Sequence, residues 1–377
     1  MKTLNINCPV GGTGYGITSL NIIKELTNLG VDISLFPIGN NVSINSEQER
    51  ETINNCLERS NTFNYNSPCL KIWHQFDLAN KIGNGHYYSF PFFETNKFND
   101  REIHQLNYCD YIFSASHWGK EVLEQNGVTK PIIVTPLGVD RNIFKPTSSI
   151  KIEQNKYIFI HIGKYEKRKG HDVLLKSFDL AFEEKDDVEL WLFPFGGRVE
   201  QKQQEELATI LNSTRLKDKI KVYNPVPTQY QLADAIDIAD CGVFLSRAEG
   251  WNNEIPEVMA LNKPIITTNY SAHTEYCTSE NSFLVDIDEV EPAYDGVWFF
   301  GKGDWAKIGE KQIEQTAEYM RYVYKNNIKT NPKGLETAER LSWSKTASII
   351  HKTLTQKKSY NATSTKKPRR KQTKLSK

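Results

Sequence analysis

The chain has 377 residues, room for two domains with sizeable cores, and 38% hydrophobic with 25% charged residues, an ordinary balance for a globular protein. Its net charge is +1, yet Lys357–Lys377 holds nine basic residues and no acid, so Met1–Gln356 stands at −8, which excludes a basic nucleic-acid scaffold for the folded part. No apolar run approaches the roughly 20 residues of a membrane span, the N-terminus lacks the charged and apolar regions of a signal peptide, and the six cysteines are scattered without a C-x-x-C. Buried free thiols in a reducing, cytoplasmic setting are therefore expected, and a zinc site is not.

Leu4–Val10 reads as a strand running into the glycine loop Pro9–Gly16. Ile17, Leu20, Ile23, Leu26 and Leu29 follow at helical spacing, Gly30 ends that helix, and Asp32–Phe36 is the next strand. The loop lacks the G-K-[ST] of a phosphate-binding Walker loop and the G-x-G-x-x-G of a dinucleotide fingerprint. A helix is expected at Ser46–Leu57, and strands at Leu70–His74, Tyr87–Phe90, Cys109–Ala115 and Pro131–Thr135. Ser116 is placed to cap a helix over His117–Asn126. Pro136-Leu137-Gly138-Val139-Asp140 then leads to Phe144-Lys145-Pro146 and a linker, Pro146–Ser149.

The second half opens with a strand at Lys156–Ile162 and a turn, Gly163–Gly170, carrying Lys164, Lys167, Arg168 and Lys169 ahead of an amphipathic helix through Phe182. Such a turn is either a solvated surface or a clamp for a diphosphate. Strands at Glu189–Phe193, Ile220–Tyr223, Cys241–Leu245 and Pro264–Thr268 alternate with helices at Glu200–Leu211, Gln229–Ile238 and Glu254–Leu261, the pattern of a parallel sheet covered on both faces. Glu249 in the loop and Glu257 eight residues on lie at the carboxyl edge of that sheet, where ligands of such folds bind. A loop glutamate there accepts hydrogen bonds from sugar hydroxyls, and one a turn further back can hold a ribose. Asp286-Ile-Asp288 reads as a surface turn, and Trp305–Lys325 and Ser342–Leu354 as helices. Lys357–Lys377 is a disordered tail by composition, whose Pro368–Lys371 cluster suits a localisation signal or an acidic surface.

Ser246, Glu249-Gly250-Trp251, Glu257-Val258-Met259-Ala260 and Lys263-Pro264-Ile265-Ile266 resemble the donor-site signature of retaining GT-B glycosyltransferases of the glycogen-synthase-like superfamily, the glycosyltransferase group 1 or family 4 type. Pro136–Pro146 resembles the segment that closes the first domain in that family. Asn252 stands where the second loop glycine is usual, and Glu254 where proline is. The resemblance implies an α/β GT-B fold, two Rossmann-like doubly wound parallel-sheet domains facing each other across a cleft. The boundaries it suggests are 1–148 on the acceptor side, 149–341 for the nucleotide sugar, a closing helix at 342–356 that returns to the first domain, and the tail at 357–377. It implies Lys164, Lys169 and Glu249 as catalytic, with His74 and Glu94 beside the transferred sugar. Gly12, Gly14, Lys164, Arg168, Lys169, Glu249, Gly250, Trp251, Asn252 and Glu257 would contact the donor.

The function so implied is retaining transfer of a sugar, a hexose above all, from a nucleotide-diphosphate sugar to a hydroxyl of a glycan, lipid or protein-linked acceptor. No cofactor and no catalytic metal are expected, no nucleic acid is expected on the folded domains, and peripheral membrane association stays open. Two other readings stand beside it. One is a catalytically weakened sugar- or nucleotide-binding protein of the same fold, resting on Asn252 and Glu254. The other is a different GT-B enzyme such as an epimerase or a phosphorylase.

Overall fold

The computed structural model describes residues 2–39, 44, 46–146, 155–194, 201–224 and 226–356. Most of the linker expected at Pro146–Ser149, and the whole tail from Lys357, lie outside the described residues.

The first unit runs β1 (Thr3–Cys8), α1 (Gly14–Asn28), β2 (Asp32–Pro37), α2 (Glu47–Arg59), β3 (Cys69–His74), β4 (Tyr87–Phe92), α3 (Asp100–Tyr108), β5 (Tyr111–Ser114), α4 (His117–Gln125) and β6 (Ile132–Val134). The second runs β7 (Tyr157–Ile162), α5 (His171–Ala181), β8 (Val188–Phe193), α6 (Gln201–Ser213), β9 (Ile220–Val222), α7 (Gln229–Ile238), β10 (Cys241–Phe244), α8 (Glu254–Ala260), β11 (Ile265–Thr268) and β12 (Phe283–Val285). A hairpin, β13 (Val290–Tyr294) and β14 (Phe300–Ala306), and helices α9 (Glu310–Lys325), α10 (Pro332–Arg340) and α11 (Trp343–Thr355) complete it.

Two six-stranded sheets result, ordered β2-β1-β3-β4-β5-β6 and β12-β11-β10-β7-β8-β9, with every pairing parallel. Helices cover both faces, so the central strands have no wet side. β4, β7, β10 and β11 are buried at every position. In each sheet the chain order reverses at one place, between β1 and β3 and between β10 and β7. Crevices open beyond the carboxyl ends of such strands, because the connections leave to opposite faces there. The loops after β1, β3, β7 and β10 therefore lie at the switch points, and the segment after β4 lies beside them, with Phe93 O 3.1 Å from where a Gly250 side chain would begin.

α11 leaves the second unit and packs on α1 of the first. The Thr346 hydroxyl donates to the Pro136 carbonyl at 2.7 Å, and Val139 N donates to Leu341 O at 3.2 Å. Gly138 allows that approach, since a β-carbon there would lie 2.1 Å from Trp343 N.

The helix expected from Trp305 begins at Glu310 instead, and Trp305 is in β14. Trp305 and Ile308 keep helical spacing to Ile313, so periodicity alone starts the helix too early. Pairing across the hairpin, with Trp305 opposite Glu291, settles the strand. Helices α3 and α10 also went unpredicted. Each starts on an asparagine cap, Asn99 accepting from Glu102 N and Asn331 from Gly334 N.

Candidate functional site

The loop after β7 ends in a single turn, Lys167–Lys169, closed by Gly170 at φ +74. A β-carbon at Gly170 would meet Leu245 O at 2.0 Å, so only glycine lets this loop lie against the end of β10. That contact aims Arg168 and Lys169 at the loop after β10. Arg168 Nη1 lies 2.7 Å from one Glu249 carboxylate oxygen and Lys169 Nζ lies 2.9 Å from the other. Ser246 Oγ donates to Glu249 Oε1 at 2.8 Å, and Ser271 Oγ accepts from Glu249 N at 2.9 Å.

All three charged groups are buried. Burial alone would raise the Glu249 carboxyl, but Arg168 and Lys169 hold it well below the usual carboxylate range. Burial would lower the Lys169 ammonium, yet Glu249 and Glu254 keep it above its ordinary value. The cluster is thus fully ionised at neutral pH, which is tolerable in a dry site only because each charge is paired.

The four predicted cations do not act alike. Arg168 is central, since its Nη2 also pairs with Glu166 at 3.0 Å and its Nη1 donates to Ala248 O at 3.0 Å. Lys164, expected to share the clamp with Lys169, instead pairs with Glu166 at 3.1 Å and lies over the Trp298 ring, 5.0 Å from its centroid. Lys167 donates to Tyr294 O at 3.1 Å.

Across the cleft, Gly12 and Gly14 lie at the mouth of α1. Nothing stands within 4 Å of where a Gly12 side chain would begin, and Asn253 Nδ2 is 4.0 Å from that point at Gly14. Tyr15, in the first turn of α1, was not singled out from the sequence. Its hydroxyl is 2.8 Å from His74 Nδ1 and 3.2 Å from Phe92 O. Burial pushes His74 down to about 4, so the ring is neutral near pH 7. Glu94, two residues beyond β4, is partly exposed. Its carboxyl is raised by burial, opposed by Arg168 and reinforced by Glu249 and Glu166. Those same interactions put Glu94 within electrostatic reach of Arg168, Lys169 and Glu249 on the other unit.

Gly250 closes the gap between units, for a β-carbon there would sit 3.1 Å from Phe93 O. Trp251 is buried, its ring centroid 4.8 Å from that of Tyr276, so its side chain supports the loop from below. Asn252 adopts φ +77, the left-handed conformation that a glycine takes freely and asparagine tolerates. Its amide donates to His273 Nε2 at 3.0 Å. Glu254 begins α8 with its carboxylate 3.8 Å from Lys169. Glu257, one turn on, is buried without an ion pair among the described residues, and burial together with Glu254 raises its carboxyl far above the usual range.

Asp286 and Asp288 are exposed, Asp286 held by Gln315 and Asp288 paired with Lys311. Among the described residues no three His, Cys, Asp or Glu side chains are grouped to hold a metal, and no helix is long and apolar enough to cross a membrane. Sequence reasoning missed Tyr15, Glu166 and the hairpin. Glu166 was legible as the one acid among four cations, but the hairpin gave no local signal.

Residues 142–302 match the family described as glycosyl transferases group 1. The mannosylfructose-phosphate synthase of Agrobacterium fabrum is 28% identical over 190 residues, 45% of this chain and 41% of that protein. An uncharacterized glycosyltransferase of Methanocaldococcus jannaschii is 27% identical over 129 residues, 34% and 28% of the two chains. The chain thus spans under half the length of these curated relatives. Among solved structures, sucrose-phosphate synthase of Thermosynechococcus elongatus superposes with a TM-score of 0.70 at 13% identity, over 94% of this chain and 98% of that one. Anabaena HepE, in complex with UDP and glucose, gives 0.68 at 14% identity, over 94% and 99%. The fold is GT-B, two Rossmann-like parallel-sheet domains.

Proposed function

We propose that the chain, whose residues 142–302 match the group 1 glycosyl transferases, moves a sugar from a nucleoside-diphosphate sugar to a hydroxyl of a glycan, lipid or protein-linked acceptor, with retention and without a catalytic metal. The observation that carries this reading is the convergence of Arg168 and Lys169 on Glu249 at the switch point of one sheet, facing Glu94 and His74 beside the switch point of the other.

In this scheme the donor diphosphate lies against Arg168 and Lys169, whose charge offsets the negative charge that grows as the bond from phosphate oxygen to anomeric carbon breaks. The acceptor oxygen bonds to that carbon from the same face, and its proton passes to the departing phosphate oxygen. Glu249 takes hydrogen bonds from the sugar, Glu257 holds the ribose, and Glu94 and neutral His74 orient the ring. Closure of the two units keeps out water that would otherwise take the sugar.

An inactive sugar-binding protein would rest on Asn252 and Glu254. Asn252, however, keeps the left-handed turn and Glu254 faces Lys169, so neither disturbs the clamp. The Anabaena neighbour holds UDP and glucose, which makes UDP-sugars the first donors to try. Nucleotide sugars are screened by thermal shift, and turnover with the best one is followed by NMR of the new linkage. A product with the donor's anomeric configuration is expected. Inversion would refute retention, and no stabilisation by any nucleotide sugar would refute the transferase reading.

A further inference from the structure

The β13–β14 hairpin is rooted in both units. Its inner side chains Ala293, Phe299 and Trp305 pack with Ala248, the residue before Glu249. Its stem is tied to the first unit, Thr95 Oγ1 donating to Lys302 O at 3.1 Å and Asp304 N to Asn96 Oδ1 at 2.8 Å. Arg247 ties it to the second, 3.3 Å from the Glu291 carboxylate. The tip is stiff as well, because Asp295 Oδ1 accepts from the amides of Val297, Trp298 and Phe299 at 2.8–2.9 Å.

On this rigid turn three large aromatic side chains face water: Tyr294 is 54%, Trp298 55% and Phe300 70% exposed. Tyr294 and Phe300 are directly opposite in the hairpin register, so their rings share one face. Lys164, beside the clamp, covers one side of the Trp298 ring. A fixed cluster of exposed aromatics is costly in water and marks a binding surface.

We propose that this tip is a platform for a neutral oligosaccharide, the acceptor end of the transfer reaction, and so rests on the function proposed above. Pyranose rings present flat C–H faces that lie on the negative face of an aromatic ring, and the Tyr294 hydroxyl can both donate to and accept from sugar hydroxyls. Residues 289–307 hold four acids and two lysines, and Lys164 and Lys167 reach the tip as well, so charges of the two signs balance there and suit an uncharged ligand better than an anionic surface.

The test uses the full chain with maltohexaose, cellohexaose, laminarihexaose, mannohexaose and chitohexaose as probes, read by ligand-observed NMR. At least one hexaose should bind, and Trp298→Ala and the double variant Tyr294→Ala/Phe300→Ala should each weaken it tenfold or more. Tyr322→Ala, removing an equally exposed ring on α9, should not, and thermal melts check that each variant is folded. Binding of no hexaose, equal loss in Tyr322→Ala, or a Trp298-dependent affinity for phosphatidylglycerol vesicles in place of hexaose would overturn the platform. Nucleotide-sugar turnover without hexaose binding would sink the platform alone. Trp298-dependent hexaose binding without affinity for any nucleotide sugar would leave the saccharide site standing and sink the transferase reading.

Discussion

Trp305 donates its indole N–H to the Glu94 carbonyl at 2.8 Å, joining residues 211 positions apart. The bond fastens the second unit's hairpin to the segment of the first that carries the cleft acid, so the place of Glu94 depends on a residue far from it in sequence.

Trp305→Phe should keep most of the packing of this fully buried ring while leaving the Glu94 carbonyl without its donor. Stability should fall by about 1 kcal/mol, the usual net worth of one hydrogen bond. Turnover should fall with it, as Glu94 loses its anchor. Urea titration alongside turnover checks this, and an unchanged midpoint would show that the bond contributes nothing.

Lys169→Ala should lower turnover by about 10²–10³, the usual effect of deleting one group that meets growing charge in a dry site. Turnover within threefold of the parent, measured with a donor already shown to bind, would remove Lys169 from the clamp.

The two donor-loop glutamates should respond oppositely to pH. Arg168 and Lys169 hold Glu249 below its ordinary value of 4.5, so its contribution to stability is present above that pH and lost as pH falls. Burial and Glu254 raise Glu257 above 4.5, so its contribution is present below that pH and lost as pH rises. As pH rises from about 3 to about 6, Glu249→Gln should therefore lose ground against the parent, and as it rises from about 5 to about 8, Glu257→Gln should gain it. Denaturant midpoints across both ranges decide. On the same proteins, UDP affinity should drop in Glu257→Gln and stay nearly intact in Glu249→Gln, and equal drops would contradict their separate roles.

Glu94→Gln should slow transfer by orders of magnitude without weakening the donor. Full activity would take Glu94 out of the site, and a sugar trapped covalently on it would replace the same-face displacement with a two-step route.

Transfer should survive a chelator, because Arg168 and Lys169 are in place to meet the diphosphate. Asp288→Asn should be near neutral, since that carboxylate is exposed and pairs with Lys311 on the surface. Activity lost in chelator and restored by Mg²⁺ or Mn²⁺ would refute metal independence.

The alternation of strands and helices was legible in the residue pattern, because strands buried on both faces must be apolar runs and surface helices must repeat about every 3.6 residues. The pattern also determined that Glu249 and Glu257 share one loop-and-helix edge and that four cations crowd the turn before Gly170, since local spacing fixes both. Where each cation lies follows instead from long-range packing. The approach of Gly170 to Leu245 turns Arg168 and Lys169 inward and leaves Lys164 to Glu166 and Trp298. Asn252 likewise keeps the turn a glycine would make, a matter of φ that residue type alone leaves open. The hairpin was least legible. Its outer face is exposed, its glycines weaken any strand pattern, and what fixes it is pairing with Thr95, Asn96 and the Glu94 carbonyl some two hundred residues earlier, long-range contacts that no local window of sequence contains.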